Sequence, residues 1–175
     1  MRCRSFHAVR AFTLFEAMVV VLVVGVLASG AIPAANLLVE MNRATASHEI
    51  IRSIELARAR AMATGRPHGV WFSVSDQAMR PVWLATTNAA PTPAQNQTGG
   101  EQDLVPFHSF GNVSLSEYVG GDGVSTEGTV WFGSDGTPQA RSNTGTLLGS
   151  WSADARLRIQ GETAITVRRL TGLVE

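Results

Sequence analysis

A chain of 175 residues has room for one domain and an appendage, and setting aside the whole N-terminal helix, through about residue 65, leaves roughly 110 residues, enough to bury one small core. The 14 basic residues are all arginine and match 14 acidic ones, but unevenly: Arg2, Arg4 and Arg10 precede the first acid, and from residue 12 onward 11 arginines face 14 acids, about −3. This excludes a P-loop, which needs a lysine, and a basic nucleic-acid-binding domain.

The first element is apolar. Residues 10–33 read RAFTLFEAMVVVLVVGVLASGAIP, and residues 17–39 carry no charge. A helix over 17–39 would be about 35 Å long, enough for a hydrocarbon core of roughly 30 Å. The three arginines before it mark that side as cytoplasmic and the C-terminal body as exported. Three readings compete: a signal peptide cut near Ala28-Ser29-Gly30, an uncleaved anchor, and a leader cut before the apolar run. The stretch Phe12-Thr13-Leu14-Phe15-Glu16 separates them. A signal peptide gains nothing from an acid between its basic and apolar regions. A carboxylate at the edge of hydrocarbon costs a few kcal/mol unless paired, so Glu16 is the candidate functional residue. The plainer view is that it sits among lipid headgroups. The single cysteine, Cys3, lies ahead of this run, which leaves the body without a disulfide or a thiolate metal site.

Ala11-Phe12-Thr13-Leu14-Phe15-Glu16, followed by an uninterrupted apolar run, resembles the processing site of type IV pilins and pseudopilins. The resemblance implies a prepilin peptidase at the cytoplasmic face of a bacterial inner membrane. It implies cleavage between Ala11 and Phe12, N-methylation of Phe12, and pairing of Glu16 with the N-terminal amine of a neighbouring subunit. The family usually has Gly before the cut and Leu after the Glu; this chain has Ala11 and Ala17. Gly25 and Pro33 match the family's helix segment that melts in the filament. Gly lowers helix propensity and Pro removes a backbone donor; an ordinary tolerated kink is the plainer reading.

Residues 40–63, EMNRATASHEIIRSIELARARAMA, are expected to continue the helix. Ser47, Ile50, Ile51, Ile54, Ala57 and Ala61 fall on one arc; Glu49, Arg52 and Glu55 lie outside it and can pair at i,i+3. Leu56 lies opposite the stripe. Gly65 and Pro67 end the helix, which from about residue 14 to 64 would reach roughly 75 Å. After Pro67 the period becomes that of strands: HGVWFSV, PVWLAT, NVSLSE, TVWFG, ARLRIQ and AITVRRL, with SDGT at 134–137 as a hairpin turn. Residues 86–103 form a polar loop, expected to be disordered. The expected fold is α+β: a long N-terminal hydrophobic α-helix packed on a C-terminal, mostly antiparallel β-sheet domain. The parts are a leader (1–11), a transmembrane and assembly helix (12–39), an amphipathic helix (40–65) and a β-rich domain (66–175).

ELARARAMATGRPHGVWF, VWFGSDGTPQ and ITVRRLTGL resemble, respectively, the helix-to-strand passage, the hairpin and the last strand with its glycine in the GspH/FimT family of minor pilins and pseudopilins. Signals for catalysis fail. There is no H-E-x-x-H, since His48-Glu49 is followed by Ile50, Ile51 and Arg52, and no C-x-x-C or G-x-S-x-G. His48, His68 and His108 are scattered. Asp122 and Glu127 in the Gly-rich stretch 120–128 are too few for a calcium loop, and the sequon Asn96-Gln97-Thr98 is discounted in a bacterial chain. No cofactor or metal is expected, and no enzyme activity. The expected partners are other pilin or pseudopilin subunits, prepilin peptidase and the inner membrane. The alternative is a DNA-binding minor pilin, with Arg168 and Arg169 on the last strand as its contacts. DNA-binding members carry Gly-Arg-x-Arg at this point, whereas Gly172 here is followed by Leu173, Val174 and Glu175, so strong nucleic-acid binding is not expected.

Overall fold

The computed structural model describes residues 13–86, 89–95, 100–123, 126–142 and 144–175, without the side chains of 29–35. Cys3, Ala11, Phe12 and the sequon therefore lie outside the described residues, as does the side chain of Pro33. The chain divides into two compact units, Met1–Leu38 and Val39–Glu175.

Helix α1 covers Leu14–Thr64. Its described side chains fall into two stretches, 14–28 and 36–64. In the first, Leu14, Phe15, Met18 and the valines and leucines through Leu27 are exposed. In the second, Ala46, Ile50, Ile54, Ala57 and Ala61 are buried in the core, with Ile51 packed at its edge. Small and β-branched residues at helical spacing let this stretch lie close against pleated strands. Glu49 and Arg52 form the i,i+3 pair at 3.5 Å, on the solvent side.

Among the described residues the remainder is ten strands in two sheets, and every named pairing is antiparallel. The larger sheet contains β1 (His68–Ser73), β2 (Ala78–Trp83), β3 (Thr92–Pro93), β4 (Val105–Pro106), β6 (Glu127–Phe132), β7 (Pro138–Arg141) and β8 (Leu147–Ser150). Its order is β3-β2-β1-β6-β7-β8, with β4 also on β2. The smaller sheet has the order β10-β9-β5, from β5 (Leu115–Val119), β9 (Ala155–Ile159) and β10 (Ile165–Val167). Alternation decides which side chains enter the core. Val70 and Phe72 of β1 and Val130 and Phe132 of β6 face inward, joined by Ala155, Leu157 and Ile159 of β9, while Arg156 and Arg158 face water. Each fully buried Ile, Leu or Phe contributes about 1.5–3 kcal/mol of transfer free energy. Gln77, in the β1–β2 turn, ties the sheets together: its side-chain amide donates to Leu115 O at 3.0 Å and its Oε1 accepts from Leu115 N at 2.8 Å. Residues 134–137 make the β6–β7 turn, where Asp135 Oδ1 accepts from Thr137 N and Oγ1.

The expected fold is corrected here. There is no long hydrophobic helix packed on the sheet: among the described residues no helix is long and apolar enough to cross a membrane. The stretch that packs is short-chained and half polar. The protein is largely β. The stretch of α1 that packs on the sheets does so through Ala46, Ile50, Ile54, Ala57 and Ala61. Within 86–103 the described residues also depart from the expected disorder. In its described part, Thr92–Pro93 pair with β2, Ala94 is buried, Gln95 bridges Glu101, and Arg60 Nη1 donates to Gln102 Oε1 at 2.9 Å.

Candidate functional site

The N-terminal motif can be followed from Thr13. Helix α1 begins at Leu14, which places Thr13 at the N-cap and Glu16 in the first turn. Glu16 N donates to Thr13 Oγ1 at 3.3 Å, and Glu16 Oε2 lies 3.5 Å from both Thr13 N and Thr13 Oγ1. This is the reciprocal T-x-x-E capping box. The spacing was visible in the sequence and supplies a local role for Glu16 that the assembly reading passed over. The contacts are long and exposed, and they leave most of the carboxylate's hydrogen-bonding capacity open to water or another chain. The negative charge also suits the positive helix N-terminus. Behind it Leu14 is 83% exposed, Phe15 76% and Leu27 69%. Gly25 is surrounded by open space, so no contact within the chain requires a glycine there. Helix α1 includes position 33.

The second candidate group lies at the C-terminal turn. Arg168 and Arg169 are not on the last strand, because β10 ends at Val167. They open a turn closed by Gly172 N to Arg168 O at 2.8 Å and by Arg168 N to Leu173 O at 2.9 Å. Gly172 has φ +66°, and a Cβ there would sit 2.9 Å from the Phe132 ring, so both conformation and space call for glycine. Both arginines are engaged by neighbours. Arg168 donates from Nη2 and Nε to Glu175 Oε2, at 2.7 and 3.1 Å, and from Nη1 to Asp154 Oδ2 at 3.2 Å. Arg169 donates its backbone N to Asp154 Oδ1 at 2.8 Å and Nη1 to Ser152 O at 3.0 Å. The Arg169 backbone N–H, then the Arg168 side chain, hold the Asp154 carboxyl below its usual range. A phosphate arriving here would meet one guanidinium paired with two carboxylates and a second already donating to a backbone carbonyl.

The histidines do not gather. His48 and His108 are exposed. His68, at the start of β1, is 8% exposed; its Nε2 lies 3.1 Å from Thr64 Oγ1 and its ring stacks on Trp83 at 6.2 Å. Burial, then the charges of Arg60 and Arg66, push its pKa down. Among the described residues no three His, Cys, Asp or Glu are grouped as a metal site would need. No protein-family model, characterised protein or solved structure matches the chain.

Proposed function

We propose that the protein is a minor pilin or pseudopilin subunit. It assembles through its N-terminal stem into a type II secretion pseudopilus or type IV pilus, or primes one, and performs no chemistry of its own. The observation that carries this reading is the exposed apolar surface from Leu14 to Leu27 immediately behind an exposed Glu16. A surface of that kind needs a cover, and the uncharged residues 17–39 suit first the bacterial inner membrane and then neighbouring stems. In this reading the N-terminus faces the cytoplasm and the body the periplasm. Prepilin peptidase cuts between Ala11 and Phe12, Phe12 is N-methylated, and Glu16 pairs with a neighbour's amine. Gly25 and Pro33 let the stem adapt within the filament.

Two measurements test it. Intact-mass analysis of the processed protein is expected to give a start at Phe12 with one added methyl group; a start near Ala31 would overturn the reading. Glu16→Gln separates the two roles of Glu16. Glutamine still satisfies the capping box but carries no charge, so the variant is expected to insert normally and to co-assemble poorly. Assembly equal to wild type would reduce Glu16 to a helix cap. The alternative of DNA uptake gains no support from Arg168, whose charge is met by Glu175 and Asp154, or from Arg169, whose guanidinium donates to Ser152 O.

A further inference from the structure

The outer face of the larger sheet, turned away from the core, holds a cavity of about 720 Å³, within the size range of small-molecule sites. Its apolar wall is Trp71, Val82, Trp131, Pro91 and Leu148. The strand register builds it: Trp71 stands opposite Arg80 on β2 and Thr129 on β6, and Gly69 stands opposite Val82 and Trp131. A Cβ at Gly69 would lie 2.9 Å from Trp131 Cε3, so the indole can lie over that strand only because the position is glycine. Four charged side chains also line the cavity: Arg80, Arg141, Asp122 and Glu127.

The two arginines differ. Arg141 is occupied, donating from Nε and Nη2 to Gln139 Oε1 at 3.0 and 2.7 Å and from Nη1 to Gly145 O at 2.8 Å. Arg80 Nε is buried and meets no acceptor among the described residues. A buried donor on a charged group left without an acceptor is costly and rare. With Nε shielded, the cavity can be met only by the two terminal nitrogens of the Arg80 guanidinium, which form a planar fork that fits a carboxylate, and the cross-strand neighbour Trp71 supplies aromatic surface to the same cavity. Asp122 and Glu127 on the same cavity would repel a polyanion, which favours a single negative charge over a phosphate ester or nucleic acid.

We propose that this cavity binds an organic carboxylate joined to an aromatic or aliphatic body, with the carboxylate on Arg80 and the body against Trp71 and Val82. A free small acid and the C-terminal residue of a peptide share this chemistry. The site contains no residue of the N-terminal stem and stands or falls independently of the assembly reading.

The test uses the full chain in detergent micelles, with binding followed by calorimetry and by the indole N–H signals of the tryptophans. The probes are 3-phenylpropionate, its amide, acetyl-Gly-Gly-Phe with a free carboxylate, and the same peptide as its amide. At least one acid is expected to bind about tenfold or more tightly than its amide, the scale of one charge-assisted hydrogen bond. Preference for phenylpropionate identifies a free acid as the source, and preference for the peptide a chain end. Arg80→Gln is expected to reduce the acid to the level of its amide with the near-UV circular dichroism unchanged. Acids and amides that bind alike, no binding of either acid, or an acid affinity untouched by Arg80→Gln would each overturn the proposal. The acid–amide comparison on the unaltered chain decides even if the variant fails to fold.

Discussion

A carboxylate at a helix N-terminus can serve its own helix or a neighbour, and Glu16 is placed for both: its contacts to Thr13 are long, exposed and local. Other single residues are more constrained. His68 is held neutral by burial and by Arg60 and Arg66, so its folded pKa lies below the unfolded value of about 6.5. A depressed histidine stabilises the fold fully above the unfolded pKa, and the contribution is lost as pH falls through that value toward the folded one. The urea midpoint of the protein is therefore expected to fall between about pH 7 and pH 5.5, with a smaller fall in His68→Gln. An identical fall in the variant would remove His68 as the cause. The depressed carboxyls of Asp135 and Asp154 act below this window. For Arg168 and Arg169 the expectation concerns DNA. Binding to phosphate backbone needs several unpaired cations to release counterions, and these two are engaged by Glu175, Asp154 and Ser152. A titration of the protein with duplex DNA at physiological salt is expected to show only weak, salt-sensitive contact. Micromolar binding that is lost in Arg168→Ala or Arg169→Ala would overturn this.

At the scale of elements, the second described stretch of α1 depends on a few side chains. Ile54 is fully buried among residues of both sheets, whereas Leu56, two positions on, is 41% exposed. Ile54→Ala is expected to lower stability by about 2–5 kcal/mol, the transfer loss plus the cavity left behind, and Leu56→Ala by about 0.5 kcal/mol or less. Urea unfolding with an unchanged m-value checks both; equal costs would mean that the helix does not present this face to the sheets. The short strands β3 and β4 show a different dependence. Pro93 and Pro106 can sit in them because each lies at the margin of the sheet and needs no ladder donor on its outer side.

At the scale of the whole molecule, the division at Val39 separates a stretch of exposed apolar side chains from the hydrophobic core, whose buried residues run from Ala46 to Val167. A fragment beginning at Val39 keeps every buried residue of that core and lacks Cys3. It is expected to unfold in one cooperative transition under reducing conditions, at a urea midpoint close to that of the full chain. A molten fragment, without near-UV circular dichroism but with helical and strand signals, would mean that the core needs the preceding residues.

Local patterns were legible in the sequence wherever the cause was local. Ile50, Ile54, Ala57 and Ala61 follow from helical spacing, while Ala46 rather than Ser47 begins the buried stripe. The alternation of ARLRIQ put Leu157 and Ile159 inside and Arg156 and Arg158 outside. SDGT closed a turn because Asp135 accepts hydrogen bonds from Thr137 two residues on. The T-x-x-E spacing was equally readable. What the chain does with its N-terminal apolar run was also read there, from Phe12 to Glu16, and remains a reading of sequence. Tertiary structure alone decided the rest. Strands β3, β4, β7 and β8 have little propensity of their own, being short or rich in Pro and Gly, and exist because a neighbouring strand supplies the ladder. Arg168 and Arg169 left the strand because Gly172 turns the chain against Phe132. Arg80, Trp71 and Trp131 are separated by up to 60 positions and meet only because β1 pairs with β2 on one side and β6 on the other. Periodicity tells which face a side chain takes; only strand pairing between distant segments tells which side chains share that face.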